Sequence, residues 1–545
     1  MTQEELLRQL YDFTLVGNGP EVLSLTNAGL EMGLGPETLL YDALIPSLEE
    51  VGARFERGDF FVPEMLIAGK AMAGALEILR PLLAETGAQA IGTIVMGTVK
   101  GDVHDIGKNL VEIILSNNGY DVVNLGIKVP PEQLIEAYHR ERGLGKPVDA
   151  IGLSGLLVKS AGQMAITAGD LREAGIGLPL LVGGAALSDR FTRTRIAPEY
   201  GGAVCYAKDA MSGLALMNAL MDPAQREAVV ARHAPEAAPA GPSAAAAAAA
   251  QSTARSRKVR TNLEIPRPAS LARVVRDVPQ LSEIWSYINP LMLYRHHLGF
   301  KDNFERALAE RDPRALELHE QVEELKADAA QWMKVRVVWQ FFEAEPEGNA
   351  IHFFEPGAAK PRHTFQFERQ RRSDGLCLAD YVLAPKPGQR DHVAAMVVTA
   401  GAGVRERAEA AKQQARYVYS HGVQVLALET AEAAAEWLHR RIREDWGFAD
   451  PPEMTMKERF TSRYRGKRYA FGYPACPRIE DQAGVWELLK PQEIGVTLTE
   501  GMMMEPEAST SALVFHHPDC SYFSVSDEAA GRVVSREAMM EATQQ

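Results

Sequence analysis

Cysteine is scarce in this sequence. Four cysteines lie far apart and form neither a disulfide framework nor a C-x-x-C metal-binding pair, so a reducing cytoplasm is the expected compartment. The N-terminus mixes acidic and polar residues and lacks the charged-then-apolar layout of a signal peptide. The cysteines are Cys205, Cys377, Cys476 and Cys520.

Long apolar runs and an excess of basic charge are also missing. No apolar stretch approaches the roughly 20 residues that span a bilayer, so no membrane partner is predicted. The 58 basic and 72 acidic residues give a net charge of −14, which argues against nucleic acid as the main partner. The composition, 46% hydrophobic and 24% charged, is that of an ordinary globular protein.

The chain of 545 residues is too long for one compact core and divides by its hydrophobic pattern. Residues 1–88 carry apolar positions at helical spacing and predict an all-α cap of about four helices. Residues 89–222 alternate short apolar strands with amphipathic helices. Five such units predict an α/β doubly wound, flavodoxin-like domain with a five-stranded parallel sheet.

A change in composition marks the next boundary. Residues 223–280 include PEAAPAGPS, a run of seven alanines and a basic SRKVR, and they are predicted to form an Ala/Pro-rich linker. Residues 281–545 mix strongly helical segments with strand-like ones, including VRVVWQFF and HVAAMVVTA, and predict a C-terminal α+β domain.

Three polar groups follow the predicted strands of the parallel sheet, at the edge where open parallel sheets bind ligands. They are DVHDIGKN at 102–109, LSGLLVKS at 153–160 and LVGGA at 181–185. Each group taken alone also fits a turn, a helix cap or close packing of helix on sheet. The argument for a function therefore depends on their joint occurrence.

Jointly these motifs resemble the cobalamin-binding domain of corrinoid methyl carriers and related cobalamin enzymes. The resemblance implies that His104 is the lower axial ligand of cobalt. A ligating imidazole needs an acceptor on its other nitrogen, which Asp102 would supply, with Ser160 completing the relay. Glycines and serines at the strand ends would leave a slot for the nucleotide tail of the cofactor.

The resemblance also predicts which residues contact the cofactor. From the cap, Phe55 and Val62 match positions that cover the cobalt–methyl group in the family, although both also fit an ordinary helical core. The other predicted contacts are Gly101, Asp102, Val103, His104, Asp105, Gly107, Ser154, Gly155, Val158, Gly183, Gly184 and Ala210.

The C-terminal domain carries the sequence RYAFGYPACP at 468–477. This motif resembles the R-x-A-x-G-Y-P-A-C-P signature of the activation domain of cobalamin-dependent methionine synthases, which binds S-adenosylmethionine. The segments VWELL at 485–489, LTE at 498–500 and HHPDCSYFSV at 516–525 keep the order of that family.

S-adenosylmethionine presents a carboxylate, an ammonium and a sulfonium, which call for a bidentate cation, acceptors and open backbone. Arg468 would bind the carboxylate, whereas Asn289 is a neutral acceptor where relatives carry an aspartate. Glu432 matches an acidic position of the family and also fits a solvated helix face. The predicted contacts are Arg468, Ala470, Gly472, Tyr473, Tyr522, Phe523, Asn289 and Glu432.

The resemblance implies a methyltransferase of the methionine synthase type. Cobalamin would cycle between cob(I)alamin and methylcob(III)alamin, and S-adenosylmethionine would remethylate the oxidised cob(II)alamin. The implied partners are homocysteine- and methyltetrahydrofolate-binding modules and a flavodoxin-like electron donor. The alternatives are a corrinoid carrier of a split methyltransferase, a cobalamin-dependent sensor and a radical mutase.

Overall fold

The computed structural model describes most of the chain as three domains. We refer to the helical domain (residues 1–85), the central domain (91–234) and the C-terminal domain (253–525). The described residues are 1–85, 91–156, 158–184, 187–234, 253–372, 374–499 and 501–525.

The helical domain packs its leucines into one core, in which Leu6, Leu10 and Leu39 are fully buried. Its first helix begins at a reciprocal cap, in which Thr2 accepts from the amide of Glu5 and the Glu5 carboxylate accepts from the amide of Thr2. The helices are Gln3–Leu15, Gly19–Glu31, Pro36–Leu39, Ile45–Arg57 and Val62–Glu85, with a π-helical turn at Leu40–Leu44.

The central domain is a five-stranded parallel sheet of order β2-β1-β3-β4-β5, and this confirms the predicted flavodoxin-like fold class. Its strands are β1 Thr93–Thr98, β2 Asp121–Asn124, β3 Ala150–Ser154, β4 Leu180–Gly183 and β5 Val204–Ala207. Its helices are Ile106–Asn117, Pro131–Gly143, Val158–Glu173, Asp189–Phe191, Ala197–Tyr200, Ala210–Met221 and Pro223–Arg232, with a π-helical turn at Thr192–Ile196.

The C-terminal domain is built on an antiparallel seven-stranded sheet, in agreement with the predicted α+β class. The order is β11-β14-β10-β7-β8-β9, and β6 pairs with β7. Every residue of β10 is buried, because the sheet has helices on one side and a second apolar core on the other. The seven strands are β6 Val274–Val278, β7 Val335–Glu347, β8 Ala350–Phe354, β9 His363–Gln366, β10 Asp391–Thr399, β11 Lys467–Tyr469 and β14 Ser509–Phe515. Strands β12 Thr497–Leu498 and β13 Met504–Glu505 form a separate two-stranded sheet.

The longest helix of the C-terminal domain, Tyr417–Asp445, has 29 residues and packs against the sheet. The other helices are Leu281–Trp285, Phe304–Ala309, Pro313–Ala329, Val404–Gln413, Met456–Phe460 and Ala483–Leu489. Short π- and 3₁₀-helical turns occupy Leu291–His297, Leu378–Tyr381, Ile479–Gln482 and Pro491–Ile494. None of the described helices combines the length and apolar character needed to cross a membrane.

The segment predicted as a linker, 223–280, differs from that expectation at both ends. Pro223–Arg232 is helical, and β6 is a strand of the C-terminal sheet. The basic SRKVR stretch is held by acidic partners: the amide of Arg257 donates to Asp374 at 2.7 Å, and Arg260 pairs with Asp519. Amino-acid composition did not predict these ordered segments, because ion pairs and backbone hydrogen bonds to distant parts of the chain hold them in place. The alanine run lies outside the described residues.

The three domains pack against one another. Leucines of the helical domain share a core with Ile114 and Leu214, on two helices that cover one face of the central sheet. The C-terminal domain reaches the carboxyl edge of that sheet through the segment that contains β12 and β13. At this contact the backbones of Gly101 and Gly501 meet, since a Cβ on Gly501 would lie 2.2 Å from the Gly101 carbonyl oxygen.

Candidate cofactor sites

The loop after β1 carries His104 at the carboxyl edge of the central sheet. Gly101 takes φ +81°, a conformation that favours glycine, and turns the chain back toward the sheet. The amide of Asp102 donates to the Val99 carbonyl, and the Thr98 hydroxyl donates to the His104 carbonyl at 3.1 Å. The loop is therefore fixed at both ends before the helix Ile106–Asn117 begins.

The structure brings His104, Asp102 and Ser160 together as the sequence predicts. Nδ1 of His104 lies 2.6 Å from Oδ1 of Asp102, and the His104 amide donates to the same oxygen at 3.0 Å. The other carboxylate oxygen, Oδ2, accepts from the Ser160 hydroxyl at 2.5 Å and from the Leu156 amide at 2.8 Å. Four donors thus fix one buried carboxylate, which in turn fixes the orientation of the imidazole.

The electrostatics of this group keep Asp102 charged. Burial opposes a charged carboxylate, but hydrogen bonds from His104 and Ser160 outweigh it and hold the pKa of Asp102 below its ordinary value. Burial also opposes a charged imidazole, yet the Asp102 carboxylate raises the pKa of His104 above its ordinary value. An imidazole with this acceptor on Nδ1 presents Nε2 as its ligating atom, as in metal-bound histidines.

Two predicted glycines at the strand ends pack against each other. Gly184 has φ +145°, and a Cβ there would lie 1.7 Å from the Gly155 carbonyl oxygen. A Cβ on Gly155 would lie 2.6 Å from Cβ of Ser160 and 3.1 Å from the Asp102 carboxylate. These glycines therefore hold the loops close enough for the relay to form, a role the sequence argument did not assign to them.

The remaining predicted contacts of the central domain are spread along the same edge. Ser154 pairs with Thr98 on β1 and with Gly183 on β4, and Ala210 begins the helix Ala210–Met221. Gly107 is exposed on the helix that follows the loop. The side chain of Val158 lies outside the part of the chain that the structure describes.

The C-terminal domain covers the histidine loop. Val103 is fully buried and clusters with Ile479 and Met503. The amide of Asp105 donates to Glu507 at 3.5 Å, and burial raises the pKa of that carboxyl to about 7. A large planar ligand bonded to His104 would need part of the space that these side chains fill.

Phe55 and Val62 lie against the C-terminal domain in this structure. The Val62 amide donates to the Leu298 carbonyl at 3.0 Å, and a Cβ on Gly299 would lie 2.8 Å from the Phe55 ring. Lys301 Nζ lies 5.7 Å from the centre of that ring. The expectation that both residues cover a bound corrin stays a prediction for another position of the helical domain.

A second polar group surrounds Arg468 on β11. Its guanidinium forms an ion pair with Glu436, which lies on the helix Tyr417–Asp445. The same oxygen of Glu436, Oε2, accepts from the Tyr464 hydroxyl at 3.1 Å. The other oxygen, Oε1, is buried and has no hydrogen-bond partner among the described residues.

The turn after β11 uses two of its own backbone groups in internal hydrogen bonds. Gly472 has φ +86°, and its amide donates to the Cys476 carbonyl at 2.9 Å. The Cys476 thiol donates to the Ala470 carbonyl at 2.9 Å, and burial raises its pKa. Tyr473 forms a bridge with Cys476. The thiol is thus a structural partner of the turn and is protonated at neutral pH.

The other predicted residues of this site lie on neighbouring elements. The ring of Tyr522 lies 5.5 Å from that of Tyr469, and Phe523 packs on the same core. Asn289 accepts from the Leu291 amide at 3.0 Å at the start of a π-helical turn. Glu432 is half-buried, one helical turn before Glu436.

Glu436 is the residue that sequence reasoning missed. The prediction chose Glu432, four residues earlier, where the family pattern suggested an acid. A signal was available, because Glu436 falls in the buried run AAAEWLH, where a carboxylate needs a partner.

Comparisons with known proteins agree with this arrangement. Residues 280–535 match the family model "Vitamin B12 dependent methionine synthase, activation domain". Residues 92–215 match a "B12 binding domain", and residues 6–80 match a second model of the same description.

Two relatives carry the name methionine synthase. The one from Mycobacterium tuberculosis is 35% identical over 533 residues, which is 90% of this chain and 44% of the relative. The one from Mycobacterium leprae is 35% identical over 548 residues, with the same two shares of 90% and 44%. The chain thus spans less than half the length of these relatives.

A solved structure of the MetH reactivation domain bound to AdoHcy is 28% identical, with a TM-score of 0.45, and covers 49% of this chain and 85% of its own. The chain therefore carries, in order, two matches to B12 binding domains and one match to the activation domain of vitamin B12-dependent methionine synthases, and 90% of it is similar to methionine synthases.

Proposed function

We propose that the chain holds cobalamin through His104 and serves as the methyl-carrying and reactivation part of a cobalamin-dependent methionine synthase. The observation that carries this proposal is the bonded series His104, Asp102, Ser160 at the carboxyl edge of the sheet. When bound, cobalamin supplies a cobalt centre that accepts and donates a methyl group. The matched B12 binding domains support this cofactor.

The residues at the site fit this cofactor. Asp102 keeps the proton on Nδ1 of His104, so that Nε2 is the ligating atom. Ser160 holds the carboxylate in its orientation by donating a hydrogen bond to it. The apolar cluster of Val103, Ile479 and Met503 lies beside the histidine loop and would have to move for the cofactor to bind.

We further propose that the group around Arg468 binds S-adenosylmethionine. The guanidinium would bind the α-carboxylate, and Glu436 Oε1, which is buried without a partner among the described residues, would accept from the α-ammonium. A buried carboxylate oxygen without a donor is costly, so a cationic ligand would stabilise the site. The turn at Ala470 and Gly472 would line the site, while Tyr473, Tyr522 and Phe523 would supply ring surface.

The contact between Gly101 and Gly501 supports a role of the C-terminal domain in reactivation. It brings the domain with the Arg468 site to the loop that carries His104. Transfer of a methyl group requires the donor carbon and the acceptor atom to approach in line. The C-terminal domain must therefore dock on the central domain for the two proposed ligands to meet.

The wider activity extends beyond this chain. We propose that homocysteine- and methyltetrahydrofolate-binding modules act with it, in cis or in trans, and that a flavodoxin-like protein supplies the electron for reactivation. Four buried cysteines without disulfides fit a reducing cytoplasm. The alternative is a corrinoid carrier subunit of a split methyltransferase, which would need the same histidine relay.

The test of the cofactor site is reconstitution with hydroxocobalamin. For the wild type we expect a visible spectrum of a histidine-bound corrinoid and, after one-electron reduction, nitrogen hyperfine splitting in the electron paramagnetic resonance spectrum. We expect His104→Gly to lose that splitting. His139→Gln is the matched control, because His139 is exposed on another helix of the same domain. Identical spectra for His104→Gly and the wild type would contradict the assignment.

A further inference from the structure

Tyr464 lies behind the ion pair of Arg468 and Glu436 and is 4% exposed. Its hydroxyl donates to Oε2 of Glu436, the oxygen that also accepts from Arg468. The Ser462 hydroxyl lies 3.5 Å from the Tyr464 oxygen and can donate to it in turn. Burial raises the pKa of Tyr464, so this hydroxyl keeps its proton and remains a donor at physiological pH.

The ring of Tyr464 is held firmly. The Arg443 guanidinium lies 3.8 Å from its centre, and the ring of His439 meets it edge-on at 5.0 Å. Arg443 is itself fixed by two hydrogen bonds to Asp450, of 2.6 and 2.7 Å, and both side chains are buried. Lys467 ties the preceding turn by donating to the carbonyls of Ser462, Tyr464 and Gly466.

This arrangement gives the two oxygens of Glu436 different roles. Oε2 is saturated by a charged and a neutral donor, whereas Oε1 is buried and has no partner within the described parts of the chain. A carboxylate that could rotate freely would exchange its oxygens. The second donor, Tyr464, removes that freedom and directs Oε1 away from the arginine.

We propose that Tyr464 is a positioning residue that orients Glu436 so that Oε1 receives the α-ammonium of the bound sulfonium amino acid. The inference rests on the proposed S-adenosylmethionine site and deepens it. Tyr464 acts through Glu436 and does not touch the ligand. It makes the site specific for a ligand that carries an ammonium next to its carboxylate, because Arg468 and Glu436 are held side by side.

The test compares two ligands on the full chain by isothermal titration calorimetry. The first is S-adenosylmethionine, and the second is its analogue with hydrogen in place of the α-amino group. We expect Tyr464→Phe to weaken binding of S-adenosylmethionine about tenfold, the effect of one lost hydrogen bond to a charged group. Affinity for the analogue should change less than twofold, because it has no ammonium for Glu436 to receive.

Two further variants make the readout specific. Tyr419→Phe is the matched control, since its hydroxyl donates to Asp328 at 2.6 Å on another part of the domain, and it should bind both ligands as the wild type does. Glu436→Gln should reduce affinity for S-adenosylmethionine, and adding Tyr464→Phe to it should cause no further loss. Additive losses in the double variant would overturn the positioning role.

Failure of the proposed function looks different from failure of this inference. If Arg468→Ala binds S-adenosylmethionine with unchanged affinity, the ligand site itself is wrong. If Arg468→Ala loses binding but Tyr464→Phe weakens both ligands equally, the site stands and the role of Tyr464 is overturned.

Discussion

Gly184 is the residue whose backbone is most constrained near the histidine loop. Its φ of +145° lies in a region that only glycine adopts readily, and its Cα faces the Gly155 carbonyl at a distance that leaves no room for a Cβ. We expect Gly184→Ala to destabilise the central domain by at least about 2 kcal/mol. Hydrogen exchange of the β3 and β4 amides measures this.

The control for that variant is Gly162→Ala in the helix Val158–Glu173. Gly162 is exposed, and a Cβ there meets nothing within 4 Å. It should leave exchange unchanged or slow it, because alanine favours the helix by up to about 1 kcal/mol. Equal hydrogen-exchange rates in Gly184→Ala and the wild type would show that the loops carrying Gly155 and Gly184 can move apart without loss of stability.

His421 gives the C-terminal domain a dependence on acid. Burial, with a smaller contribution from the nearby His297, lowers its pKa to about 4. Between pH 6.5 and about 4 the unfolded chain binds a proton that the folded chain does not. Above pH 6.5 the neutral His421 therefore does not reduce the free energy of unfolding. That free energy falls as the pH drops from 6.5 to about 4, because protons bind preferentially to the unfolded chain.

We expect His421→Asn to reduce the loss of unfolding free energy between pH 7 and pH 4.5 by about 2 kcal/mol. Denaturant titrations followed by tryptophan fluorescence measure it, since all six tryptophans lie in the C-terminal domain. His139→Gln, an exposed site of the central domain, should keep the wild-type pH dependence. If His421→Asn changed the free energy of unfolding by the same amount at pH 7 and at pH 4.5, His421 would not be the source of the pH dependence.

Single site residues could be predicted from the sequence where the chemistry of a motif requires particular partners. His104, Asp102 and Ser160 were predicted jointly because a ligating imidazole needs an acceptor and that acceptor needs a donor. Glu436 was missed because its partner, Arg468, comes from a strand 32 positions away, and the pairing depends on how helix and sheet pack. The close approach of Gly155 and Gly184 likewise depends on tertiary structure.

Among the elements, the parallel strands were the most predictable. Short apolar runs predicted all five strands of the central sheet. Strands β1, β3 and β4 are almost entirely buried, so their apolar pattern is nearly continuous. Strand β6 was not predicted. Its residues at 275–277 are exposed, so the sequence of β6 has no apolar pattern that would indicate a strand, although β6 pairs with β7.

The 3₁₀-helical turn Leu378–Tyr381 is anchored by a buried ion pair. Arg369 and Asp380 are 2% and 1% exposed, and their two hydrogen bonds measure 2.6 and 2.8 Å. We expect Asp380→Ala to destabilise the C-terminal domain by about 3–5 kcal/mol, because it leaves a buried guanidinium without its partner.

The matched double variant is Arg369→Met with Asp380→Leu, which removes both charges and keeps the volume. It should recover most of the lost unfolding free energy, measured by tryptophan fluorescence in denaturant. Equal losses in the single and double variants would show that the turn depends on the hydrogen bonds of these two side chains, and that the unpaired charge adds no further cost.

At the scale of the whole molecule, ion pairs cross between the central and C-terminal domains. Lys412 contacts Glu112 at 2.6 Å, and the same oxygen of Glu112 accepts from Asn124. Lys128 pairs with Glu505 at 2.9 Å in a more exposed position. These contacts stabilise the docked arrangement, and dissolved salt weakens them.

We expect Lys412→Gln to weaken docking by about 1 kcal/mol, which is about fivefold in the docked population. Small-angle scattering against sodium chloride should show the radius of gyration rising at lower salt than in the wild type. Lys326→Gln, which removes a 2.8 Å pair with Glu323 inside one helix, is the control. The same salt response in both variants would mean that the interdomain pair does not hold the domains together.

The meeting of Gly101 and Gly501 has a consequence for how the two domains part. No side chain lies between these two backbones, so parting Gly101 from Gly501 itself requires no rotamer change, although the neighbouring cluster of Val103, Ile479 and Met503 must also separate. A branched side chain at either position would overlap the opposite backbone and force the two domains apart.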